Sequence, residues 1–431
     1  LAASLLLDRR YLAPVDQFFV QPGEPLSGEV RLGGAKNSVL KLMAASLLSE
    51  GRYTLTNVPR ITDVDIMSDL LRAMGLAVSR THPDTLQIDV PATVVPEAPY
   101  ELVEQMRASI VVLGPLLARC GEARVSLPGG DDFGHRPIDM HVRGLEAMGA
   151  SFETRHGYVM GRADGLVGAR IVLEFPSHTA TDNLLMAAVR AKGTTVIENA
   201  AREPEVADLA AFLNRMGAKI HGAGTSTIGV EGVEELGPVA HEVIPDRVEA
   251  ATFMVAVALA GGEVLIESAR PDHMDMLVHK LGQMGLHTAA ASEGIWATAS
   301  GKARSADVAT LPYPGVATDY KPLLVTLLSV ADGVAIVTEN IFQGRFKYVD
   351  ELRRMGADIR TEGHHAVVRG VPRLSGAPVR APDIRAASAL VLAGLVADGE
   401  TVISGAHHVD RGYEDFALKL SSLGARVSRQ R

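Results

Sequence analysis

A short phrase recurs six times along this chain and constrains any fold it can adopt. A Met or Leu, then Gly, then Ala or Leu opens an alternating stretch at Met74-Gly75-Leu76, Met148-Gly149-Ala150, Met216-Gly217-Ala218, Met284-Gly285-Leu286, Met355-Gly356-Ala357 and Leu423-Gly424-Ala425. The interval is roughly 70 residues throughout, the mark of an internal repeat and not of biased composition. About 25 residues before the phrase, an Ala/Leu/Val-rich segment ends in a polar residue and glycine. Examples are Ser49-Glu50-Gly51, Ala191-Lys192-Gly193, Ala331-Asp332-Gly333 and Ala397-Asp398-Gly399, with β-rich runs such as 194–198 and 263–267 close behind these ends. Glycine just past a helix supplies the left-handed residue that closes it. Each unit therefore reads helix, glycine, strand, loop, amphipathic helix, glycine, strand, turn, strand.

The two helices of a unit differ. In 206–216, Val206, Leu209, Ala210, Leu213 and Met216 share one face, so this helix covers a core from outside. The first helices (38–48, 185–191, 386–396) are apolar nearly all round and must be buried on every side. Six such units predict an α/β fold with two similar lobes. Each lobe is an inside-out barrel of three βαβαββ-like units, helices within and sheets outside, and a cleft separates the lobes.

A chain of 431 residues, 47% hydrophobic, has material for about two domains. Its formal charge of −9 argues against wrapping nucleic acid. An acidic ligand would need basic groups gathered locally. The one cysteine, Cys120, leaves no intrachain disulfide and no cysteine metal cluster, which fits a reducing, cytoplasmic setting; at a helix end it reads as a small core residue. No apolar run reaches membrane-spanning length. Residues 1–7 are apolar, but Asp8, Arg9 and Arg10 follow them, the wrong order for a secretion signal.

One stretch invites an anion. Gly33-Gly34-Ala35-Lys36-Asn37 follows a short strand (28–32) and precedes a buried helix, so backbone N–H groups and one ammonium can face a ligand there. Alone it reads equally as a glycine turn with a snorkelling lysine.

Taken with 106–110 (Met-Arg-Ala-Ser-Ile), 127–141 (Leu-Pro-Gly-Gly, then Gly134, Arg136-Pro137, Asp139 and His141) and 410–414 (Asp-Arg-Gly-Tyr-Glu), that stretch resembles the enolpyruvyl transferases. The likeness runs in order from about Gln21 to the C-terminus and includes the six-unit repeat. The branch acting on shikimate 3-phosphate carries a Lys-Ser variant of the first loop, and Ala35-Lys36-Asn37 argues against it. The resemblance implies an N-terminal extension over 1–20, one lobe over 38–245, and a second over 21–37 with 246–431.

It also implies a reaction. The enolpyruvyl group of phosphoenolpyruvate passes to an acceptor hydroxyl with release of phosphate, and no cofactor or metal takes part. The donor carries a phosphate and a carboxylate, which arginine forks suit. By the resemblance Lys36, Arg136 and Arg411 hold it, with Arg107, Arg345, Asp383 and Arg385 beside them. Taken singly, each arginine reads as well as a surface ion pair. Asp319 matches the residue that takes the acceptor's proton, though a helix N-cap is its plainer reading; Asp383 carries the same alternative. Lys36, Asp131, Asp319 and Arg411 are thus the expected catalytic set. The acceptor, a uridine nucleotide, is expected against Asn37, Arg136, Pro137, Ile138, Asp139, Met140, Ser177, His178, Thr179, Asp319, Ile341 and Gln343.

Departures from the family pattern sharpen the reading. Many relatives have cysteine where this chain has Asp131. A carboxylic acid can perform the same protonation if its pKa is raised, but it lacks the thiolate that an epoxide drug alkylates. Insensitivity to fosfomycin is therefore expected, and intact-mass analysis after incubation with the drug should show no adduct at Asp131. The pattern Ser-Val-Gly-Ala-Thr becomes Ser177-His178-Thr179-Ala180-Thr181. Pro-Thr-Asp becomes Ala317-Thr318-Asp319, and Phe-Glu-x-Arg-Phe becomes Phe342-Gln343-Gly344-Arg345-Phe346. These changes fall on the sugar-diphosphate side, while 136–140 on the uracil side is intact. The clustering favours UMP, modified at its 3′-hydroxyl as in nikkomycin-type antibiotic synthesis, over the UDP-N-acetylglucosamine of the cell-wall branch. A non-catalytic nucleotide-binding regulator is the alternative of another class. A bare repeat scaffold is a third; it predicts no convergence of the arginines.

Overall fold

Six four-stranded sheets and one two-stranded pair hold the strands of the computed structural model, which describes residues 16–127, 129, 137–342 and 344–431. In four of the sheets a buried helix links two neighbouring parallel strands. Helix Leu113–Cys120 joins Glu97–Ala98 to Glu122–Ser126, and His178–Ala188 joins Arg170–Val172 to Thr194–Glu198. Lys321–Leu328 joins Val308–Ala309 to Val334–Thr338, and Ile384–Gly394 joins Pro378–Arg380 to Thr401–Ser404. An outer helix follows, then antiparallel strands that complete the sheet. The six phrase glycines close those outer helices at positive φ, from +89° at Gly356 to +111° at Gly217, a region costly for any side chain.

The other two sheets exchange strands. Strand Leu26–Arg31 leads into helix Lys36–Ala45 but pairs with Gly262–Glu267, the strand after helix Arg247–Ala260. Strand Ala240–Glu242 leads into Arg247–Ala260 but pairs with Gly51–Thr56, the strand after Lys36–Ala45. The two crossing segments run side by side: Ala35 donates to the Ile244 carbonyl (2.7 Å), and Asp246 N–H to the Gly33 carbonyl (3.0 Å). Gly34 is required here, because a Cβ would lie 1.8 Å from the Asn57 carbonyl oxygen. Asp246 caps helix Arg247–Ala260 through Val248 and Glu249 (2.7 and 3.1 Å), and its other oxygen accepts from Lys36 N–H (3.2 Å). One carboxylate thus satisfies N–H groups at the start of both crossing helices.

Two separate apolar cores result. One gathers buried residues between Val39 and Val243; the other combines Phe18–Leu32 with Val248–Val427. Within the second, helices Arg247–Ala260, Lys321–Leu328 and Ile384–Gly394 pack on one another. Cys120 is half-buried against the first core. The N-terminal boundary differs from the expected one. Gln17–Gln21 forms a strand between Thr401–Ser404 and Arg426–Gln430, antiparallel to both, so residues 17–20, assigned to an extension, supply an inner strand of the sixth unit's sheet. The alternating burial of Phe18 and Val20 fixes its register. Among the described residues no helix is long and apolar enough to cross a membrane.

Candidate active site

The buried helices share one property that decides where chemistry can occur: residues at the start of five of them, and at the 3₁₀ turn that leads into the sixth, line a single cleft of about 540 Å³. Lys36 and Asn37 open one helix, Arg107 starts the 3₁₀ turn before Leu113–Cys120, and Ser177 to Thr179 open a third. From the second core come Arg247, Thr318 with Asp319, and Ile384 with Arg385. Helix N-termini carry partial positive charge and spare N–H donors, so their convergence favours an anion before any side chain is counted.

The side chains add cations, and acids hold Lys36, Arg411, Arg345 and Arg385 among them. Asp63, 1% exposed at the start of helix Thr62–Ala73, pairs with Lys36 Nζ at 2.8 Å and with Arg411 Nε at 2.9 Å. Burial works against its ionisation, yet Lys36 and Arg411 outweigh that and hold its pKa below the usual carboxylate range. Lys36 and Arg411, 375 positions apart in sequence, meet on one carboxylate. Asp319 plays the same part opposite: Arg345 Nη1 lies 2.7 Å from one oxygen, and Arg385 Nε and Nη2 lie 3.2 and 3.1 Å from the other. Burial again opposes ionisation, and the two guanidiniums drive the pKa far down.

Behind Asp319 lies a buried pair, Lys321 Nζ to Glu339 at 2.8 Å, both side chains 0% exposed. Glu339 also accepts from the Thr310 and Thr318 hydroxyls and from the N–H groups of Ile341 and Phe342. Lys321 donates to the Arg345 carbonyl at 2.6 Å. Burial lowers the Lys321 pKa to about 8 against the pull of Glu339, so it is cationic at pH 7. The pair thereby ties the loop bearing Ile341 to both partners of the Asp319–Arg345 contact.

On the first core's wall, Lys41 reaches Asp182 (3.3 Å) and the His178 ring (2.7 and 3.1 Å). Arg247 crosses from the second core to Glu205 at 2.9 Å and donates to Tyr320 Oη at 3.1 Å. His141 is buried and neutral, its pKa lowered to about 4 first by burial and then by Arg107. Its ring meets Asn183 Nδ2 at 2.8 Å and Thr179 Oγ1 at 3.4 Å, which braces the Thr179 end of the wall.

Of the residues expected from sequence, Lys36, Asn37, Arg107, Pro137, Met140, Ser177, His178, Thr179, Asp319, Ile341, Arg345, Arg385 and Arg411 line this cleft. Asp131, Arg136 and Gln343 lie outside the described residues. Ile138, Asp139 and Asp383 are not in the lining. Asp383 caps its helix, accepting from Arg385 and Ala386 N–H at 2.8 and 2.9 Å, so one of its oxygens serves the backbone that aims Arg385. Asp319 is not an N-cap: Tyr320 holds that position, with no side-chain cap bond.

Sequence reading missed Lys41, Asp63, Arg247, Lys321 and Glu339. A signal existed for two of them. Lys41 interrupts Val39 to Ala45 and Lys321 precedes Pro322 to Leu328, and a lone charge in a helix that must be buried demands a partner. Asp63 carried no such mark; an acid in the first turn of an amphipathic helix is ordinary.

The profile of the EPSP synthase (3-phosphoshikimate 1-carboxyvinyltransferase) family matches residues 20–420. Over 414 residues the chain is 50% identical to the UDP-N-acetylglucosamine 1-carboxyvinyltransferase of Mycobacterium bovis, with 96% of this chain and 99% of that one covered. It is similar in structure to the enolpyruvyl transferase NikO from Streptomyces tendae, with a TM-score of 0.86 at 26% identity over 97% of this chain and 99% of that one. EPSP synthase from Acinetobacter baumannii shares the fold at TM-score 0.75 and 20% identity, over 96% of this chain and 100% of the other.

Proposed function

The chain belongs to the EPSP synthase family of enolpyruvyl transferases, and from that premise we propose that it moves the enolpyruvyl group of phosphoenolpyruvate to a hydroxyl of UDP-N-acetylglucosamine, the step named for its relatives in the cell-wall branch. The observation that carries the reaction is the gathering of Lys36, Arg345, Arg385 and Arg411 around Asp63 and Asp319 in one cleft. In this reading Lys36, Arg411 and the two arginines on Asp319 take the donor's phosphate and carboxylate. The enol CH₂ carbon takes a proton, in this reading from Asp131, and becomes a methyl group. The acceptor hydroxyl attacks the adjacent carbon as Asp319 takes its proton, and the tetrahedral adduct loses phosphate together with a proton from that methyl group, which restores the C=C bond. Helix N-termini around the cleft stabilise the anionic groups throughout.

The two cores are, in this proposal, two inside-out lobes of three units each, joined by the crossing segments 32–35 and 243–246. Closure about those segments would exclude water from the adduct. The exchange of strands and the separation of the two cores support it.

UMP was the acceptor favoured by three sequence departures. An identity of 50% along nearly the whole chain outweighs three altered motifs and supports the sugar nucleotide as the first reading. UMP stays as the second reading because His178 and Thr179, the two changed residues of the first altered motif, stand in the cleft wall. The test is phosphate release from phosphoenolpyruvate with each acceptor in turn. We expect turnover with UDP-N-acetylglucosamine at a kcat/KM at least tenfold above that with UMP. The reverse order would transfer the assignment to UMP, and binding of both substrates without phosphate release would favour a regulator.

A further inference from the structure

Lys41 lines the same cleft and is about as covered as Arg345 and Arg385, which are 4% exposed, but an imidazole stands beside it where an acid, Asp319, stands beside those two. Its side chain is 3% exposed, while the His178 imidazole that touches it is 21% exposed and so lies on the cleft side. Both ring nitrogens are within reach of the ammonium, at 2.7 and 3.1 Å. Behind it stands Asp182, 0% exposed, 3.3 Å from Lys41 and 3.4 Å from His178. Among the described residues neither Asp182 oxygen makes a hydrogen bond. A buried carboxylate so poorly satisfied is retained at a cost unless it serves the charge beside it. Burial raises the Asp182 pKa to about 7 against the pull of Lys41, so at pH 7 the acid offsets the Lys41 charge in part.

The imidazole completes the screen. Burial and the Lys41 ammonium together push the His178 pKa well below its ordinary value, so the ring adds no charge at pH 7. The wall is otherwise the start of helix His178–Ala188, whose first residues Ser177 to Thr179 line the cleft and whose dipole favours an anion. An ammonium one side chain behind that helix start would add a strong contact for a phosphate if it were uncovered.

We propose that His178 sets the acceptor preference of the cleft by masking Lys41, so that the wall offers a phosphate-bearing acceptor a neutral ring and helix N–H groups where it could offer a charge. This deepens the proposed function and rests on its reading of the acceptor as a uridine nucleotide. Affinity for the phosphate part of the acceptor is thereby held below what the buried charges could supply.

The test is calorimetric binding of UDP-N-acetylglucosamine, UMP and uridine to the whole protein. His178→Val, the residue the family pattern carries there, should bind both phosphate-bearing ligands about tenfold more tightly, the scale of one charge-assisted hydrogen bond. Uridine binding should not change. Asp182→Asn, which frees the ammonium from its counter-charge, should act in the same direction. The Lys41→Met/Asp182→Asn pair removes both buried charges together and so avoids a stranded carboxylate; adding His178→Val to that pair should give no gain. If the unmodified protein binds the nucleotides but His178→Val and Asp182→Asn bind them no more tightly, the masking role is refuted and the acceptor reading stands. If none of the three uridine ligands binds the unmodified protein, the acceptor reading fails and takes the masking role with it. A tenfold gain that persists without Lys41 would also overturn the proposal, because the gain would then be steric.

Discussion

Replacing Asp319 with asparagine is expected to lower kcat by about 10²–10⁴-fold, the usual contribution of a positioned general base, while the KM for phosphoenolpyruvate stays level or falls. The split follows from the geometry. Arg345 and Arg385, 4% exposed, each hold a different Asp319 oxygen. In that grip the carboxylate is ionised but too weak a base to take a hydroxyl proton. The same arginines are the groups proposed for the donor's anionic ends. When phosphoenolpyruvate draws their N–H groups away, the carboxylate loses partners and gains basicity just where the acceptor attacks. Asparagine keeps the size and abolishes the base, and it leaves both guanidiniums without their counter-charge and so more available to the donor. Steady-state phosphate release with each substrate varied separates the two effects. Because the arginines hold the Asp319 pKa far below the usual range, the group is charged at every pH from about 5 upward. The deficit in kcat/KM, which reports the free enzyme, should therefore be the same at pH 6 and pH 9. A kcat within threefold of the unmodified enzyme would mean that the proton leaves by another route.

The two arginines on Asp319 come from units that only the folded chain brings together, 26 and 66 residues away in sequence. The repeat was legible because each unit carries its own punctuation, and the glycines of all six phrases do sit at positive φ. The helix start at Lys36, the apolar face of Pro204–Arg215 and the shared cleft of Lys36, Asp319, Arg385 and Arg411 could likewise be read from pattern and motif. The strand Gln17–Gln21 could not, because its partners are Thr401–Ser404 and Arg426–Gln430, at the far end of the chain. Local pattern carries no record of such a pairing. Asp63 and Glu339 were invisible for a related reason. A carboxylate that neutralises a cation far away in the chain, as Asp63 does Arg411, or one on the preceding helix, as Glu339 does Lys321, looks in sequence like any surface acid. The repeat did hold an unused clue: if the buried helices of six like units start at one end, every charge near such a start belongs to one site. Applied to Lys41, Arg247 and Lys321, that rule would have found all three.

Lys321 is where the rule has its largest expected consequence for stability. Lys321→Met should destabilise the fold by about 3–5 kcal/mol, the cost of stranding one member of a buried ion pair. Glu339 would keep its contacts to Thr310, Thr318 and the two backbone N–H groups, but with no cation at 2.8 Å. The pH dependence has a definite sign. In the native pair burial raises the Glu339 pKa, but Lys321 more than offsets this and the net shift is downward. The group therefore adds stability above its unfolded pKa of about 4.3, and that stability is lost as pH falls through the lower folded value. Without Lys321, burial prevails and the folded pKa rises above the unfolded one, so Glu339 costs stability as pH climbs past about 4.3. The gap between variant and unmodified protein should be wide at pH 7.5 and narrow toward pH 5, as measured by urea unfolding. The Lys321→Met/Glu339→Gln pair should recover most of the loss, since neither side chain is then charged. Its activity separates two roles. The pair still lacks the Lys321 contact to the Arg345 carbonyl, so a stable but slow double variant would mark the ion pair as the support that holds Arg345 against Asp319. A stable double variant with full activity would confine Lys321 and Glu339 to the core.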